Sequence, residues 1–322
     1  MRHRHQVSGG RGPVLRHRQR LDRPGQFDKA AQYYKQALAT DPTLAKASYN
    51  LALAYAQLNR PDDAIAILTK LLAADPKNTA VMSTLGWTYH QEGKDEDALK
   101  RYDDVLAVSP ADQDALYNSA IVLWKLDRKP AARERLERLL SYTPEALDAL
   151  YAAGSLSLAM DDPASAADYL SRYLAKKPED VDAWYLAAAG AERQQRYSKA
   201  LDAYDKILTL DSKQSEASFG EARLLLTVVE DPQKGLDELQ QALSTGFHDT
   251  DAVKVLLADS TLLERDKVEA ALKDKGLLPA PSDAASPGSN AETPGAGPPG
   301  AGSSGAGAPG ASPPPGRAPT SP

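Results

Sequence analysis

The sequence predicts an all-α protein, a solenoid of antiparallel helix pairs followed by a disordered C-terminal tail. Prolines recur every 34 residues from Pro42 to Pro178, and alanines recur with the same spacing from Ala30 to Ala200. A fixed period of this length indicates stacked units that each bury an apolar face against the next unit. Within one unit the apolar residues have helical spacing, and a turn signal near the middle divides the unit into two helices.

The segment 79–110 shows this hairpin most clearly. Met82, Leu85 and Tyr89 lie three and four residues apart, so they share one face of a helix. Gly93 interrupts the helical pattern, and a second apolar face follows it. The second helix must end before the closing proline, because the residue that precedes a proline avoids helical backbone angles.

The chain begins with a segment that does not fit the repeat. Residues 1–24 contain seven arginines and one acidic residue. In 11–24, where the first helix of the first unit should lie, the pattern positions hold Val14, His17, Arg18 and Leu21, and Arg and His cannot line an apolar seam. We interpret 1–24 as a basic irregular leader and hypothesise that it is a misassigned start, a frame artefact or an expression remnant, with the real first helix missing. The alternative is a disordered basic arm.

Residues 25–245 are predicted to hold an array of about seven repeats, the last of which departs from the pattern. One residue is inserted close to Pro232, and Gly235 replaces the recurrent alanine. The period therefore predicts a shift of one residue in the final second helix.

A shorter, degenerate helix pair is predicted over 246–278. Thr250 is placed as the N-cap of a helix near 250–258, and Gly276 as the end of a helix near 265–275. Such an atypical terminal pair would cover the last apolar face of the array.

The tail, residues 279–322, has a composition that does not support folding. It contains 12 of the 23 prolines and 9 of the 21 glycines, and its charged residues are Asp283, Glu292 and Arg317. A segment with so little apolar surface cannot offset the entropy of ordering, so we predict a disordered region that packs against nothing.

The repeat resembles the tetratricopeptide repeat (TPR) family, whose 34-residue pattern has a small residue at position 8, Ala at 20, a large residue at 24 and Pro at 32. With repeats beginning at 45, 79, 113, 147 and 181, the chain matches at several positions together over roughly 27–245. The resemblance implies a right-handed solenoid. The small residues at positions 8 and 20 are expected to face each other, so that the two helices can approach closely.

Composition and motifs exclude several function classes. The chain has no cysteine and no phosphate-binding, hydrolase or metalloprotease motif, so we predict a protein that is not an enzyme and has no cofactor or metal. Residues 25–278 carry a net charge of −11, and such an acidic segment argues against nucleic acid as partner. No apolar run is long enough to span a membrane. The cytoplasm is the default compartment, with the bacterial periplasm or cell envelope as the alternative if a signal precedes this start.

The resemblance also implies a partner-binding groove, because first helices line the concave face of the family's solenoids. Trp87 and Trp124 would face this groove as exposed aromatic anchors for a peptide, unless they fold back as core residues. Tyrosines at position 5 and acids at position 2 would complete it, although tyrosine at position 5 is common in generic scaffolds. The candidate groove residues are Tyr49, Leu53, Trp87, His90, Tyr117, Ile121, Trp124, Tyr151, Tyr185, Asp114, Asp148 and Asp182.

The predicted function is a protein–protein interaction scaffold that binds a protein or peptide in this groove. A clamp for the C-terminal carboxylate of chaperones is disfavoured: Asn50 and Asn118 match it, but its basic residues are missing. Two alternatives stay open, a non-catalytic recruiting subunit of an enzyme complex and a cell-envelope assembly protein whose signal segment is missing. The partner and the oligomeric state stay open as well.

Overall fold

The computed structural model of the chain describes residues 24–278 and 313–318. Within these ranges the protein contains fifteen α-helices and no strand. The predictions for the leader and for most of the tail concern residues 1–23, 279–312 and 319–322, which lie outside the described residues. In chain order the helices are α1 (Pro24–Thr40), α2 (Ala45–Gln57), α3 (Pro61–Ala74), α4 (Thr79–Gln91), α5 (Asp95–Val108), α6 (Gln113–Lys125), α7 (Lys129–Tyr142), α8 (Leu147–Ala159), α9 (Pro163–Leu174), α10 (Val181–Arg193), α11 (Tyr197–Leu210), α12 (Ser215–Thr227), α13 (Pro232–Ser244), α14 (Thr250–Ala258) and α15 (Arg265–Asp274).

The predicted all-α class and the repeat register are confirmed. Consecutive helices pack as antiparallel pairs, from α2 with α3 to α12 with α13. The first helix of each pair begins at a repeat start that the sequence period predicts. These starts are Ala45, Thr79, Gln113, Leu147, Val181 and Ser215.

The predicted insertion is also visible in the helix boundaries. Second helices begin 34 residues apart from Pro61 to Tyr197, and the next one begins at Pro232, which is 35 residues later. Helices α14 and α15 then occupy the segments predicted for the degenerate pair.

One cap of this terminal pair differs from the prediction. The N-cap of α14 is Asp249 rather than Thr250, and its carboxylate accepts hydrogen bonds from the backbone N–H groups of Asp251 and Ala252. A carboxylate one residue earlier reaches these unpaired N–H groups, whereas Thr250 already belongs to the helix. Gly276, with φ +70°, follows α15 as predicted.

A left-handed residue recurs in the turn of every hairpin. Where the sequence shows Gly93, the other turns use polar residues at the equivalent position. The residue after each turn often donates its N–H to a carbonyl five residues back, as Lys94 does to Tyr89 at 2.9 Å. This is the Schellman arrangement, which satisfies carbonyls at the end of the first helix. The left-handed turn residues are Asn59, Gly93, Asp127, Asp161, Gln195 and Glu230.

The close contact within a hairpin is not the one that the sequence suggests. A Cβ on Gly154 at position 8 would lie 2.7 Å from Leu170 Cγ at position 24, and a Cβ on Gly235 at position 20 would lie 2.7 Å from Leu226 Cγ at position 12. Positions 8 and 20 therefore each face a large residue. The reason is that the two helices are antiparallel, so residues at similar distances from the turn face each other. Position 12 therefore faces position 20 near the turn, and position 8 faces position 24 farther from it.

The described residues form two compact units. Unit 1 comprises residues 24–142 and 315–318, and unit 2 comprises residues 143–278 and 313–314. In unit 2, Phe219 and Phe247 stack with ring centroids 4.0 Å apart, and Val253 of α14 and Val268 of α15 belong to the same buried cluster. No helix among the described residues is both long and apolar enough to cross a membrane.

Candidate functional site

A short segment of the C-terminal tail lies against the first helices of unit 1. Residues 313–318 have no regular secondary structure, and Pro315, Gly316 and Arg317 approach side chains of α4 and α6. We refer to the four residues that meet this segment as the tail-binding site. They are His90, Asp114, Tyr117 and Asn118.

Asn118 binds the backbone of the tail. Its Oδ1 accepts a hydrogen bond from the Arg317 N–H at 2.6 Å, and its Nδ2 donates to the Arg317 carbonyl at 3.0 Å. Asn118 is only 5% exposed. A buried amide left without partners would carry a desolvation cost, and the extended tail satisfies both of its polar atoms.

The Arg317 side chain binds an acid and an aromatic ring. Its Nη1 lies 3.1 Å from Asp114 Oδ1, and its guanidinium lies 4.5 Å from the centroid of the Tyr117 ring. The Asp114 carboxylate is half exposed, so the ion pair alone is worth little. The adjacent ring adds a cation–π contact and gives the cation a defined position.

The two residues before Arg317 pass close to the same helices. The Tyr117 hydroxyl donates to the Pro315 carbonyl at 3.4 Å. A Cβ on Gly316 would lie 3.2 Å from Asn118 Oδ1 and 3.8 Å from His90 Cδ2. The space beside Gly316 is therefore tight, and a side chain there would have to displace the Asn118 amide by a few tenths of an ångström.

Local sequence explains how the site is positioned. Asp112 caps α6 by accepting a hydrogen bond from the Ala115 N–H at 2.8 Å. Asp114, Tyr117 and Asn118 follow at helical spacing, which places them on one face.

A chain of polar contacts positions His90, which is on α4. Its Nδ1 lies 2.6 Å from Asp95 Oδ1, and the other oxygen of Asp95 lies 2.9 Å from Lys125 Nζ. The imidazole is thus tied to the start of α5 and to the end of α6.

The expectation of exposed tryptophan anchors is wrong. Trp87 is 8% exposed and Trp124 is 5% exposed, and Ile121 is buried as well. Helices α4 and α6 contact each other directly, because first helices of successive repeats form one layer. A large side chain on such a helix has neighbouring helices on both sides and can be buried.

Two of the tyrosines at repeat position 5 connect successive repeats. The Tyr49 hydroxyl lies 2.8 Å from Thr84 Oγ1 of the next repeat, and the Tyr185 hydroxyl donates to Gln214 Oε1 at 3.4 Å. Burial raises the pKa of Tyr185 to about 12. In unit 2 the rings of Tyr151 and Tyr173 lie 5.4 Å apart. These contacts favour the generic-scaffold interpretation for Tyr49, Tyr151 and Tyr185. Among the candidate tyrosines at position 5, Tyr117 is the one that contacts the described part of the tail.

The remaining candidates are spread over both units. Leu53 is partly buried against the core of the first helices of unit 1. Asp148 and Asp182 begin α8 and α10 in unit 2, where Asp182 is exposed. The structure therefore brings His90, Asp114 and Tyr117 together at one site.

Unit 2 contains a separate, partly buried polar cluster. Glu192 accepts hydrogen bonds from the Tyr204 hydroxyl at 2.7 Å and from Arg223 Nη2 at 2.5 Å. Burial lowers the pKa of Arg223, but the charge of Glu192 more than offsets this and leaves that pKa raised. The cluster is a structural ion pair with an aromatic partner.

Sequence reasoning missed two residues of the site. The repeat pattern relates Asn118 only to a carboxylate clamp, and composition marks Arg317 only as the one basic residue of the tail. A lone arginine in an otherwise neutral, proline-rich stretch of an acidic protein is the signal that could have pointed to it. Residues 315–317 thus differ from the expectation of a tail without contacts, since three consecutive residues there bind α6. In residues 24–278 and 313–318, no group of His, Asp or Glu is arranged to hold a metal ion.

Comparison with known proteins identifies the repeat. Models of the tetratricopeptide repeat match residues 23–86, 59–107, 89–156 and 151–215, which together cover more than half of the chain. No curated protein sequence matches the chain.

Solved structures agree on the fold. The C-terminal part of a TPR repeat-containing protein from Cytophaga hutchinsonii is 15% identical, with a TM-score of 0.62, over 74% of this chain and 98% of that one. YrrB, a TPR protein with an unusual peptide-binding site, is 19% identical, with a TM-score of 0.54, over 58% of this chain and 96% of that one. The MamA protein is 22% identical, with a TM-score of 0.50, over 53% and 93%.

Members of this family are generally protein–protein interaction scaffolds and are typically non-catalytic. The repeat models, the 34-residue helix register and the paired helices agree, and the chain belongs to the tetratricopeptide repeat family.

Proposed function

We propose that this chain is a non-catalytic scaffold that binds an extended segment of another protein at the tail-binding site of unit 1. The observation that carries the proposal is the paired hydrogen bonding of Asn118 to one backbone unit of an extended segment. Backbone recognition of this kind accepts any peptide that can adopt the extended form. Neighbouring side chains then provide the selectivity.

The chemistry of the site favours a peptide with a basic residue. Asp114 offers a half-exposed carboxylate and Tyr117 offers a ring face, and both contact Arg317 within the chain. Asp148 and Asp182 of unit 2 stay candidates for basic residues of the same or another partner. The buried Trp87 and Trp124 support the fold of the first helices rather than contact the peptide.

Affinity purification with mass spectrometry tests this function. Wild type, Asn118→Ala and Asn50→Ala are compared, because Asn50 occupies the equivalent repeat position on α2 and serves as the matched control. We expect specific partners to be retained by Asn50→Ala and lost by Asn118→Ala. Synthetic peptides from those partners should show the same order of affinity by fluorescence anisotropy. Unchanged partners and affinities for Asn118→Ala would refute the proposed function.

A further inference from the structure

We propose that residues 315–317 are a tethered ligand that occupies the tail-binding site and keeps it closed until a peptide of the same chemistry displaces them. This inference rests on the proposed function and names its ligand class. The class is an extended peptide in which a proline is followed by a small residue and an arginine.

The buried amide of Asn118 shows that the tail completes the site. Among the described residues, both hydrogen bonds of its side chain go to Arg317. With the tail in place Asn118 is 5% exposed, so loss of the tail would break both bonds and open its amide to water or to another ligand. An external peptide that restores the two bonds can take the place of the tail.

The order of residues in the segment matches the order of its contacts: Gly316 lies against the Asn118 amide, and Arg317 contacts an acid and an aromatic ring. Gly316 passes where a Cβ would come within 3.2 Å of Asn118 Oδ1, which selects a small residue. Arg317 is the one basic residue of the tail 279–322, and it meets Asp114 and the ring of Tyr117. A different order of the same residues would place the cation away from its acid.

The sequence before the contact lowers the entropy cost of binding. Residues 313–315 are three consecutive prolines, whose fixed φ angles favour an extended chain before it binds. The covalent connection through residues 279–312 makes docking intramolecular, so an effective concentration takes the place of the free peptide concentration. A weak contact is therefore populated within the chain, whereas a free peptide must bind more tightly to displace it.

Hydrogen exchange of the full chain measures the docking directly. The Arg317 N–H is hydrogen-bonded to a buried acceptor, so the peptide fragment that contains it should exchange slowly in wild type. Asn118→Ala should remove this protection, and the matched control Asn50→Ala should keep it. Protection that is independent of protein concentration supports the tether. Protection that rises with concentration, together with a larger assembly in light scattering, would mean that a second copy supplies the tail and would overturn it.

Competition measures whether the docked tail closes the site. The probe is a fluorescent synthetic peptide with the sequence of residues 311–320, titrated into full-length wild type and Arg317→Ala. The peptide should bind Arg317→Ala about tenfold more tightly, because the mutated tail no longer competes, a change of roughly 1.4 kcal/mol. Adding Asn118→Ala to this chain should abolish binding. A peptide with glutamate in place of its arginine should not bind.

The outcomes separate this inference from the proposed function. Equal affinity of the probe for wild type and Arg317→Ala, or an unprotected tail, would overturn the tethered ligand even if Asn118→Ala loses external partners. A protected, competing tail combined with unchanged external partners in Asn118→Ala would instead refute the proposed function and leave the tethered ligand in place.

Discussion

The amide of Asn118 and the backbone of Arg317 form a two-bond pair, with an N–H to Oδ1 distance of 2.6 Å and an Nδ2 to carbonyl distance of 3.0 Å. The two residues are 199 positions apart in the sequence. This geometry fixes the direction of the bound segment and its extended form. Side-chain preference then depends on the residues next to the pair, Gly316 and Asp114.

Replacing Gly316 by valine should weaken tail docking about tenfold or more. The new Cβ would begin 3.2 Å from Asn118 Oδ1, and branched methyl groups would crowd the amide further. Overpacking of this kind costs about 1–3 kcal/mol. Hydrogen exchange of the tail should rise while the thermal midpoint of the helices is unchanged. Gly310→Val in the same tail is the control, and retained protection in Gly316→Val would contradict the close approach.

Gly154→Ala and Gly190→Ala should have opposite effects on unit 2. A Cβ on Gly154 would lie 2.7 Å from the buried Leu170, so the substitution should cost about 1–3 kcal/mol. A Cβ on Gly190 would lie 3.4 Å from Leu158 Cδ2, an ordinary contact. Gly190→Ala should therefore gain up to about 1 kcal/mol of helix propensity. Urea unfolding measures both, and changes of the same sign would show that position 8 is not the tight contact.

Trp124→Ala should reduce the stability of unit 1 by about 3–5 kcal/mol, as truncation of a buried indole usually does. The side chain is 5% exposed, so its removal leaves a cavity rather than an open surface. The partly buried Trp184, whose indole N–H donates to the Pro178 carbonyl at 2.9 Å, is the comparison, and its loss should cost less. Unfolding followed by circular dichroism gives both values. An unchanged stability for Trp124→Ala would restore the exposed-anchor interpretation.

Stability should fall at alkaline pH. Burial raises the pKa of Tyr185 to about 12, and burial together with Asp182 raises the pKa of Tyr151 to about 12. Both are above the ordinary value of 10.0. Below pH 10 both states hold the phenol protons and the full stability is present. Between about pH 10 and 12 the unfolded chain loses these protons first, so the free energy of unfolding decreases.

Urea unfolding at a series of pH values tests this window. Tyr185→Phe removes one of the groups and should make the alkaline decrease shallower. An identical slope for Tyr185→Phe and wild type would contradict the assigned burial effect.

The sequence predicted the fold closely because the information is local and repeated. Spacing in the chain located the first helices at Ala45 and its equivalents, and it located the extra residue before Pro232. Helix ends depend on neighbouring residues and on backbone angles, both of which can be inferred from a short window. The left-handed turns at Asp161 and Gln195 were less visible, because polar residues there take the place of a glycine.

The site could be predicted only in part. Repeat positions identified His90, Asp114 and Tyr117, but they gave no reason to select them over Trp87 or Trp124. Whether an indole is exposed depends on how closely neighbouring first helices pack. The position of a residue within its own repeat does not give the spacing between helices.

The sequence by itself determined the repeat period, the helix register and the composition of the tail. The tertiary structure decided which aromatic side chains are buried and which acid meets Arg317. The physical reason is the range of the interactions: helix periodicity acts over three to five residues, whereas the contact of Asn118 with Arg317 must overcome the closure entropy of a long segment of chain. No local sequence pattern gives the balance between contact energy and closure entropy. The contact forms only when the folded helices bring an amide, an acid and an aromatic ring together.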